Sequence, residues 1–163
     1  MKKLLFLIIA FVSCFILAGA KQVSAASEQD PTLVSTTTEV LEDGSYIVTE
    51  VYGSKTNENS RSNLYNTAGE KVVTKYSALN AVMWTYTLTA EFVVNEGVDV
   101  ICSNAGYSYN IKDITWEFYD GEAMWRDNIA RGVGTFECTI LFIQAQVVNI
   151  DITLSCDVYG NFE

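Results

Sequence analysis

Apolar and polar residues alternate with a period of two along most of the chain after residue 63. In residues 84–94 every second position is apolar, and the positions between are mostly threonine or glutamate. This is the period of a β-strand with one buried face and one solvated face. The same alternation recurs in residues 107–111, 114–118, 136–142 and 148–156. Many short alternating stretches joined by turns predict an all-β fold for residues 63–163, an antiparallel β-sandwich of immunoglobulin-like or similar type.

The alternation also predicts which large side chains are buried. Ile114 falls in the apolar phase of Trp116, and Phe142 falls in the apolar phase of Phe136. We therefore expect both Ile114 and Phe142 in the core. A bend is expected near residues 144–146, where Gln-Ala-Gln separates the last two apolar rows.

Glycine residues predict two interruptions in this series of strands. Asp120-Gly121 is typical of a turn that ends a strand, and residues 124–126 then read as a short edge strand. Residues 127–134 contain two glycines and several polar residues, so they are predicted as a loop.

A separate hairpin is predicted before the sandwich. Asp43-Gly44 lies between two alternating runs rich in threonine and valine, and Asp-Gly favours a two-residue turn in which both residues have positive φ. Residues 53–63 are almost free of apolar side chains and predict a polar linker. The chain thus divides into a hairpin and linker, residues 26–62, and the sandwich, residues 63–163. The pattern leaves open whether the hairpin packs on the sandwich.

The first 25 residues read as a secretory signal peptide. Met1-Lys2-Lys3 is followed by an apolar run over residues 4–20 and then by the small-residue sequence Val23-Ser24-Ala25. A basic start, an apolar stretch and a small-residue cleavage site are the three parts of such a signal. We expect cleavage after Ala25 and a secreted, extracellular protein; an uncleaved membrane anchor is the alternative.

Charge and composition narrow the partners and the chemistry. The chain has 10 basic and 20 acidic residues and no histidine. Loss of Lys2, Lys3 and Lys21 with the leader leaves 7 basic against 20 acidic residues, a net charge of −13. Such a surface repels nucleic acid and anionic headgroups, so neither nucleic acid nor, after cleavage, a membrane is expected as a partner. Without histidine there is no Ser-His-Asp or Cys-His catalysis and no histidine metal site.

Acidic and aromatic residues provide the remaining candidates for a site. Asp120, Glu122, Glu91 and Glu117 are the carboxylates considered for glycosidase chemistry, but each fits a turn or a solvated strand face. We therefore expect no catalytic residues, no metal site and no cofactor. Trp125, between polar residues in a glycine-flanked stretch, is the candidate exposed contact.

Three cysteines remain after removal of the leader: Cys102, Cys138 and Cys156. An extracellular protein can form disulfides, and Cys102 and Cys156 each lie at a strand end, which suits a bridge at the rim of the sandwich. We expect a Cys102–Cys156 disulfide with Cys138 as a buried thiol. Three reduced, buried cysteines are the alternative.

Several short motifs give the chain a family resemblance. They are EVLEDGSY at residues 39–46, WTYTLT at residues 84–89, the Asn95-x-Gly97 turn before Cys102, and LSCD at residues 154–157. With these motifs and its Lys-Lys signal, the chain resembles small secreted β-rich proteins of Gram-positive, clostridia-like bacteria, a family without an assigned activity. The resemblance implies an extracellular β-rich domain with Cys102 and Cys156 as the matching pair, and it implies no functional residues.

The sequence as a whole predicts a secreted, non-enzymatic β-sandwich, acting as a binding or structural module outside the cell or on its envelope. The expected partner is an extracellular protein or glycan. The alternatives are a secreted toxin or antimicrobial protein and a carbohydrate-active hydrolase.

Overall fold

The computed structural model describes residues 30–55 and 63–163, and the regular structure in these two ranges is entirely β-strand. No helix in the described ranges could cross a membrane. The strands are β1 (Thr32–Val40), β2 (Tyr46–Lys55), β3 (Leu64–Tyr76), β4 (Val82–Asn95), β5 (Asp99–Ile111), β6 (Trp116–Arg126), β7 (Ile129–Ile140) and β8 (Ile143–Ser155). The leader predicted over residues 1–25 lies outside the described residues.

The strands form two antiparallel sheets that pack on each other. The larger sheet has the order β1-β2-β3-β4-β5 and the smaller has the order β6-β7-β8. The predicted all-β antiparallel sandwich is therefore confirmed. Within each sheet every strand pairs with its neighbour in sequence, so each sheet is a meander, and the chain crosses from one sheet to the other between β5 and β6. The Greek-key connections of an immunoglobulin domain are therefore not formed by these eight strands.

The N-terminal hairpin is continuous with the larger sheet. β2 pairs with β3 over its whole length, from Tyr46 opposite Tyr76 to Lys55 opposite Thr67. Of the predicted polar linker, residues 53–55 belong to β2 and residues 56–62 lie outside the described part of the chain. The same sheet thus carries both the hairpin and the strands predicted for the sandwich.

The core forms between β4 of one sheet and β7 of the other. The alternating row of β4 is at most 3% exposed, which confirms the predicted buried phase; its members are Trp84, Tyr86, Leu88, Ala90, Phe92 and Val94. Across the interface the rings of Trp84 and Phe136 stack with centroids 4.0 Å apart. The hydroxyl of Tyr86 donates a hydrogen bond to the Val133 carbonyl at 3.1 Å, so a buried polar atom is satisfied where the sheets meet.

The predicted Asp43-Gly44 hairpin is present, but its turn is of a different kind. Leu41 donates its N–H to the Ser45 carbonyl, and Gly44 donates to the Leu41 carbonyl. Only Gly44 has positive φ, +78°, so the loop has three residues with glycine in the left-handed position. The turn between β3 and β4 has the same pattern: Ser77 donates its N–H to the Ala81 carbonyl, and Asn80, in the left-handed position, donates to the Ser77 carbonyl.

Two predictions made from glycine positions were wrong. They are the turn that ends a strand at Asp120-Gly121 and the loop over residues 127–134. β6 runs unbroken past Gly121, and β7 begins at Ile129 and includes both Gly132 and Gly134. A Cβ atom on Gly121 would lie 2.5 Å from Phe118 Cζ, and one on Gly132 would lie 2.8 Å from the Tyr86 hydroxyl. These glycines make room for aromatic rings inside a sheet rather than breaking it.

The turn between β7 and β8 also differs from the prediction. It falls at Leu141-Phe142, because Ile140 pairs directly with Ile143, and residues 144–146 lie within β8. A register shift between Cys138 and Thr139 ends the buried row of β7. Phe142 and Ile114, both expected in the core, are 100% and 97% exposed.

The two sheets differ in width, and β1 is left uncovered. Three strands cannot cover five, and all nine residues of β1 are exposed. β2 is partly covered, since Val51 is buried and Ile47 packs against the core. β1 is therefore an edge strand that contacts the rest of the protein mainly by pairing with β2.

Candidate binding surface

Four large apolar side chains project into solvent from three connections between strands. Leu79 is 90% exposed, Ile114 is 97%, Leu141 is 85% and Phe142 is 100%. Leu79 lies between β3 and β4, Ile114 between β5 and β6, and Leu141-Phe142 between β7 and β8. We call these four residues the apolar turn surface.

Hydrogen bonds show that these connections lie at the same end of the molecule. The Lys112 N–H donates to the Met83 carbonyl at 2.9 Å and joins the β5–β6 connection to the start of β4. The Thr139 N–H donates to the Thr115 carbonyl at 2.9 Å and joins the end of β7 to the residue after Ile114. The apolar turn surface therefore lies at one end of the sandwich, and its residues come from connections of both sheets.

The backbone at Leu141 and Phe142 is held in an unfavourable conformation. Their φ angles are +50° and +66°, in the left-handed region that bulky side chains rarely adopt. Two-residue hairpin turns of this kind strongly prefer Asn-Gly or Asp-Gly. Each such residue costs of the order of 1–3 kcal/mol, and strain of this size tends to occur at functional sites.

Two polar side chains next to the apolar turn surface, those of Asp113 and Ser77, are already hydrogen-bonded within the chain. Asp113 accepts bonds from both the N–H and the hydroxyl of Thr115, at 2.9 and 2.8 Å. The Ser77 hydroxyl accepts from the N–H groups of Leu79 and Ala81. These groups therefore need fewer bonds to water than their polarity suggests.

Trp125, the contact residue expected from the sequence, lies elsewhere. It is 48% exposed near the end of β6 and pairs with the buried Ala130 of β7. This places it next to the β6–β7 turn, at the end of the molecule opposite the apolar turn surface. Its role as a contact remains a prediction.

Cys102, Cys138 and Cys156 are buried, and no disulfide joins them in the described part of the chain. Cys102 and Cys156 do lie at one rim, since their N–H groups donate to the neighbouring carbonyls of Asp127 and Asn128. However, the Cys102 thiol donates to the Asn104 carbonyl and the Cys156 thiol donates to the Asp157 carbonyl. The structure therefore shows no Cys102–Cys156 bond, and each of these two sulfurs has a local backbone acceptor instead; the pairing stays a prediction. Burial also raises the pKa of the Cys102 thiol.

The third cysteine, Cys138, lies near the opposite end. Its thiol contacts the Thr115 hydroxyl at 3.6 Å, on the inner side of the connection that carries Ile114. It is 6% exposed, in agreement with its predicted inward phase.

Two of the four carboxylates considered from the sequence come together. Asp120 and Glu122 line an open groove of about 560 Å³ on the outer face of the smaller sheet, together with Asp151. Asp151 accepts two bonds from Arg131, at 2.7 and 2.6 Å, and this pairing lowers the pKa of its carboxyl. Glu91 lies on the larger sheet and Glu117 is exposed near the start of β6, so neither reaches the groove.

Among the described residues, the core contains one buried charged side chain, that of Lys75. Lys75 is fully buried, and its ammonium donates to the Ser45 hydroxyl at 3.0 Å, which in turn donates to Asp43 at 2.5 Å. The ammonium also lies 5.5 Å from the centre of the Trp116 ring. Burial lowers the pKa of Lys75, and the bonds from Ser45 lower the pKa of Asp43. No three Cys, Asp or Glu side chains in the described ranges are grouped to hold a metal ion.

The fold and the surface define a small β-sandwich of two meander sheets with exposed apolar side chains at one end. Comparisons of the chain with protein-family models, with curated proteins and with solved structures return no match. The functional argument therefore depends on the chain's own chemistry.

Sequence reasoning missed the apolar turn surface, although one signal was available. Residues 140–143 read Ile-Leu-Phe-Ile, a run of four large apolar residues that breaks the two-residue period. A strand with one wet face cannot bury four consecutive side chains, so the run indicates either a covered strand or an exposed turn.

Proposed function

We propose that this protein is a secreted, non-enzymatic binding module that docks to a component of the cell exterior through its apolar turn surface. The observation that carries this proposal is the presence of four large apolar side chains, 85–100% exposed, at one end. Grouped apolar side chains in water cost solvation free energy and mark interaction sites in soluble proteins. The strained backbone at Leu141 and Phe142 adds to that cost.

The polar groove on the smaller sheet is a less suitable centre for catalysis. A glycosidase needs one carboxyl with a raised pKa to act as the acid. Asp151 has the opposite environment, because Arg131 keeps its carboxyl ionised. The groove supports hydrogen bonding to a hydroxyl-rich molecule such as a glycan more readily than it supports bond cleavage.

The Ser45–Lys75 pair is also unsuited to catalysis. A serine beside a lysine of lowered pKa could in principle form a nucleophile and its base. Here Ser45 is 4% exposed and Lys75 is fully buried, so no substrate reaches the hydroxyl. The Ser45 hydroxyl donates to Asp43 while accepting from Lys75, which makes the pair a structural link.

A secreted toxin or antimicrobial protein is the second candidate, because exposed apolar turns also suit a protein that attacks membranes. The acidic composition disfavours attack on anionic envelopes, which usually requires cationic surface. A growth-inhibition assay against related bacteria separates the two functions. Inhibition zones at low protein concentration would support the toxin and contradict the binding module.

Export and envelope retention test the proposed function together. The natural chain is expressed in a Gram-positive host, and the protein is recovered from the medium and from washed cells. We expect a mature protein that begins at Ala26, with a fraction retained on the cells. Replacing Leu141-Phe142 with Asn-Gly should shift that fraction into the medium. Recovery from the cytosol with residues 1–25 intact, or retention that the replacement does not change, would contradict the proposal.

A further inference from the structure

We infer that the partner of the apolar turn surface is the interface of an electrically neutral lipid bilayer; this rests on the proposed function. The first argument is shape. The four side chains project from three separate connections, two of them from the β7–β8 turn, and each is at least 85% exposed. A protein partner would need a matching pocket for each of them. Acyl chains and headgroups rearrange around separate projecting side chains without one.

The second argument is the cost of leaving water. Polar groups that enter the bilayer interface are penalised unless they are already hydrogen-bonded. Beside the apolar turn surface, Asp113 is bonded to Thr115, and Asn80 accepts a bond from the Tyr46 hydroxyl at 3.0 Å. Ile140 and Ile143 are paired across the hairpin, and their side chains are 52% and 70% exposed. The hairpin tip thus carries apolar groups on a backbone that is largely paired.

The third argument is charge, and it selects the type of lipid. Residues 140–143 carry no charge, whereas the chain has twice as many acidic as basic residues. The acidic residues repel anionic headgroups but are nearly indifferent to zwitterionic ones. The sequence-based expectation that no membrane is a partner after cleavage rested on the repulsion between acidic residues and anionic headgroups. That repulsion does not apply to a neutral interface.

A second copy of the chain is the competing occupant. Two copies that meet at this end would each bring Glu42 and Asp43, which are exposed on the β1–β2 turn, to the same contact. The Tyr46–Asn80 bond shows that this turn lies beside the one that carries Leu79. Like charges would therefore oppose a symmetric end-to-end dimer, whereas a neutral bilayer brings no added charge.

The test is co-flotation with phosphatidylcholine vesicles. The protein used begins at Ala26, since the apolar residues 4–20 would bind lipid by themselves. We expect the protein to float with phosphatidylcholine vesicles and to bind less when phosphatidylglycerol is added. The double variant Leu141→Asn/Phe142→Gly should lower the partition coefficient about tenfold or more, because it removes two large apolar side chains. Ile114→Asn, on a different connection, should lower it severalfold.

The variants are chosen so that loss of binding is not loss of folding. Asn-Gly is the preferred pair for a turn with two positive φ angles, so the double variant should unfold at the same or a higher temperature. The matched control is Val98→Asn/Ile101→Thr, which removes two apolar side chains, 70% and 55% exposed, at the opposite end. The control should leave the partition coefficient within about twofold of the natural one.

Three results would overturn the inference. They are failure of the natural chain to float with phosphatidylcholine, equal loss of binding in the control, and a lipid-independent dimer that the double variant abolishes. If vesicle binding fails while the Asn-Gly replacement still releases the protein from cells, the proposed function stands and the bilayer is excluded as its partner. If both fail, the apolar turn surface is not a docking site.

Discussion

Lys75 shows how a single charged residue can be accommodated in the core of this sandwich. Its ammonium donates to the Ser45 hydroxyl, which donates to the carboxylate of Asp43. The positive charge is therefore compensated indirectly, through one hydroxyl group. The two ends of this link differ in environment, because Lys75 is fully buried whereas Asp43 is exposed. Replacing Asp43 and replacing Lys75 should therefore change the free energy of unfolding by different amounts.

Asp43→Asn should lower the free energy of unfolding by about 1–3 kcal/mol, because it leaves a buried ammonium without its compensating charge. Lys75→Met should change it by less than about 1 kcal/mol, since methionine fills similar space and the remaining carboxylate is in water. Urea denaturation at neutral pH measures both. A larger loss in Lys75→Met than in Asp43→Asn would show that the lysine stabilises the fold by itself.

Tyr86 should make stability depend on alkaline pH. Burial raises the pKa of its phenol to about 12, from an ordinary value of 10.0. Between these values the folded protein keeps a proton that the unfolded chain has lost, so the stability present below pH 10 declines as the pH rises towards 12. The decline is up to about 3 kcal/mol. Tyr86→Phe lacks the titrating group, so the difference in unfolding free energy between the two proteins should shrink over this window.

At the scale of the element, the sequence predicted strands better than it predicted their ends. Period two identified the buried row of β4 because a strand with one covered face leaves that pattern. Glycines at 121 and 132 were taken as breaks, because local propensity cannot reveal a ring from another strand lying over the backbone. The apolar turn surface was missed for a related reason, since Ile114 and Phe142 fit a buried phase until the register is known.

Gly132→Ala tests the close approach of that ring. Its Cβ would lie 2.8 Å from the Tyr86 hydroxyl and 3.2 Å from Leu88, both fully buried. We expect a loss of about 1–3 kcal/mol in unfolding free energy, measured by thermal denaturation. Gly106→Ala is the matched control in a strand, because its nearest neighbour would be 3.5 Å away, and it should be close to neutral. Equal effects at both positions would mean that strand propensity, and not packing, decides.

At the scale of the whole molecule, the three-stranded sheet selects which part of the five-stranded sheet becomes core. β4 lies in the middle of the covered region and supplies six buried side chains, whereas β1 supplies none. Both strands are rich in residues of high β-propensity, and the assembly of the sheets decides which of them is covered. A local sequence pattern therefore cannot predict which strands of the larger sheet the smaller sheet covers.

The uncovered position of β1 has a consequence for deuterium exchange. Its protection depends on hydrogen bonds to β2 with no layer above or below, so it can detach while the rest of the sandwich stays folded. Amides of β1 should become deuterated well before those of β4, as followed by mass spectrometry of peptic fragments. Equal protection of the two strands would mean that β1 opens only with the whole domain. A strand that detaches first is also where a protease or a neighbouring chain would gain access to the sheet.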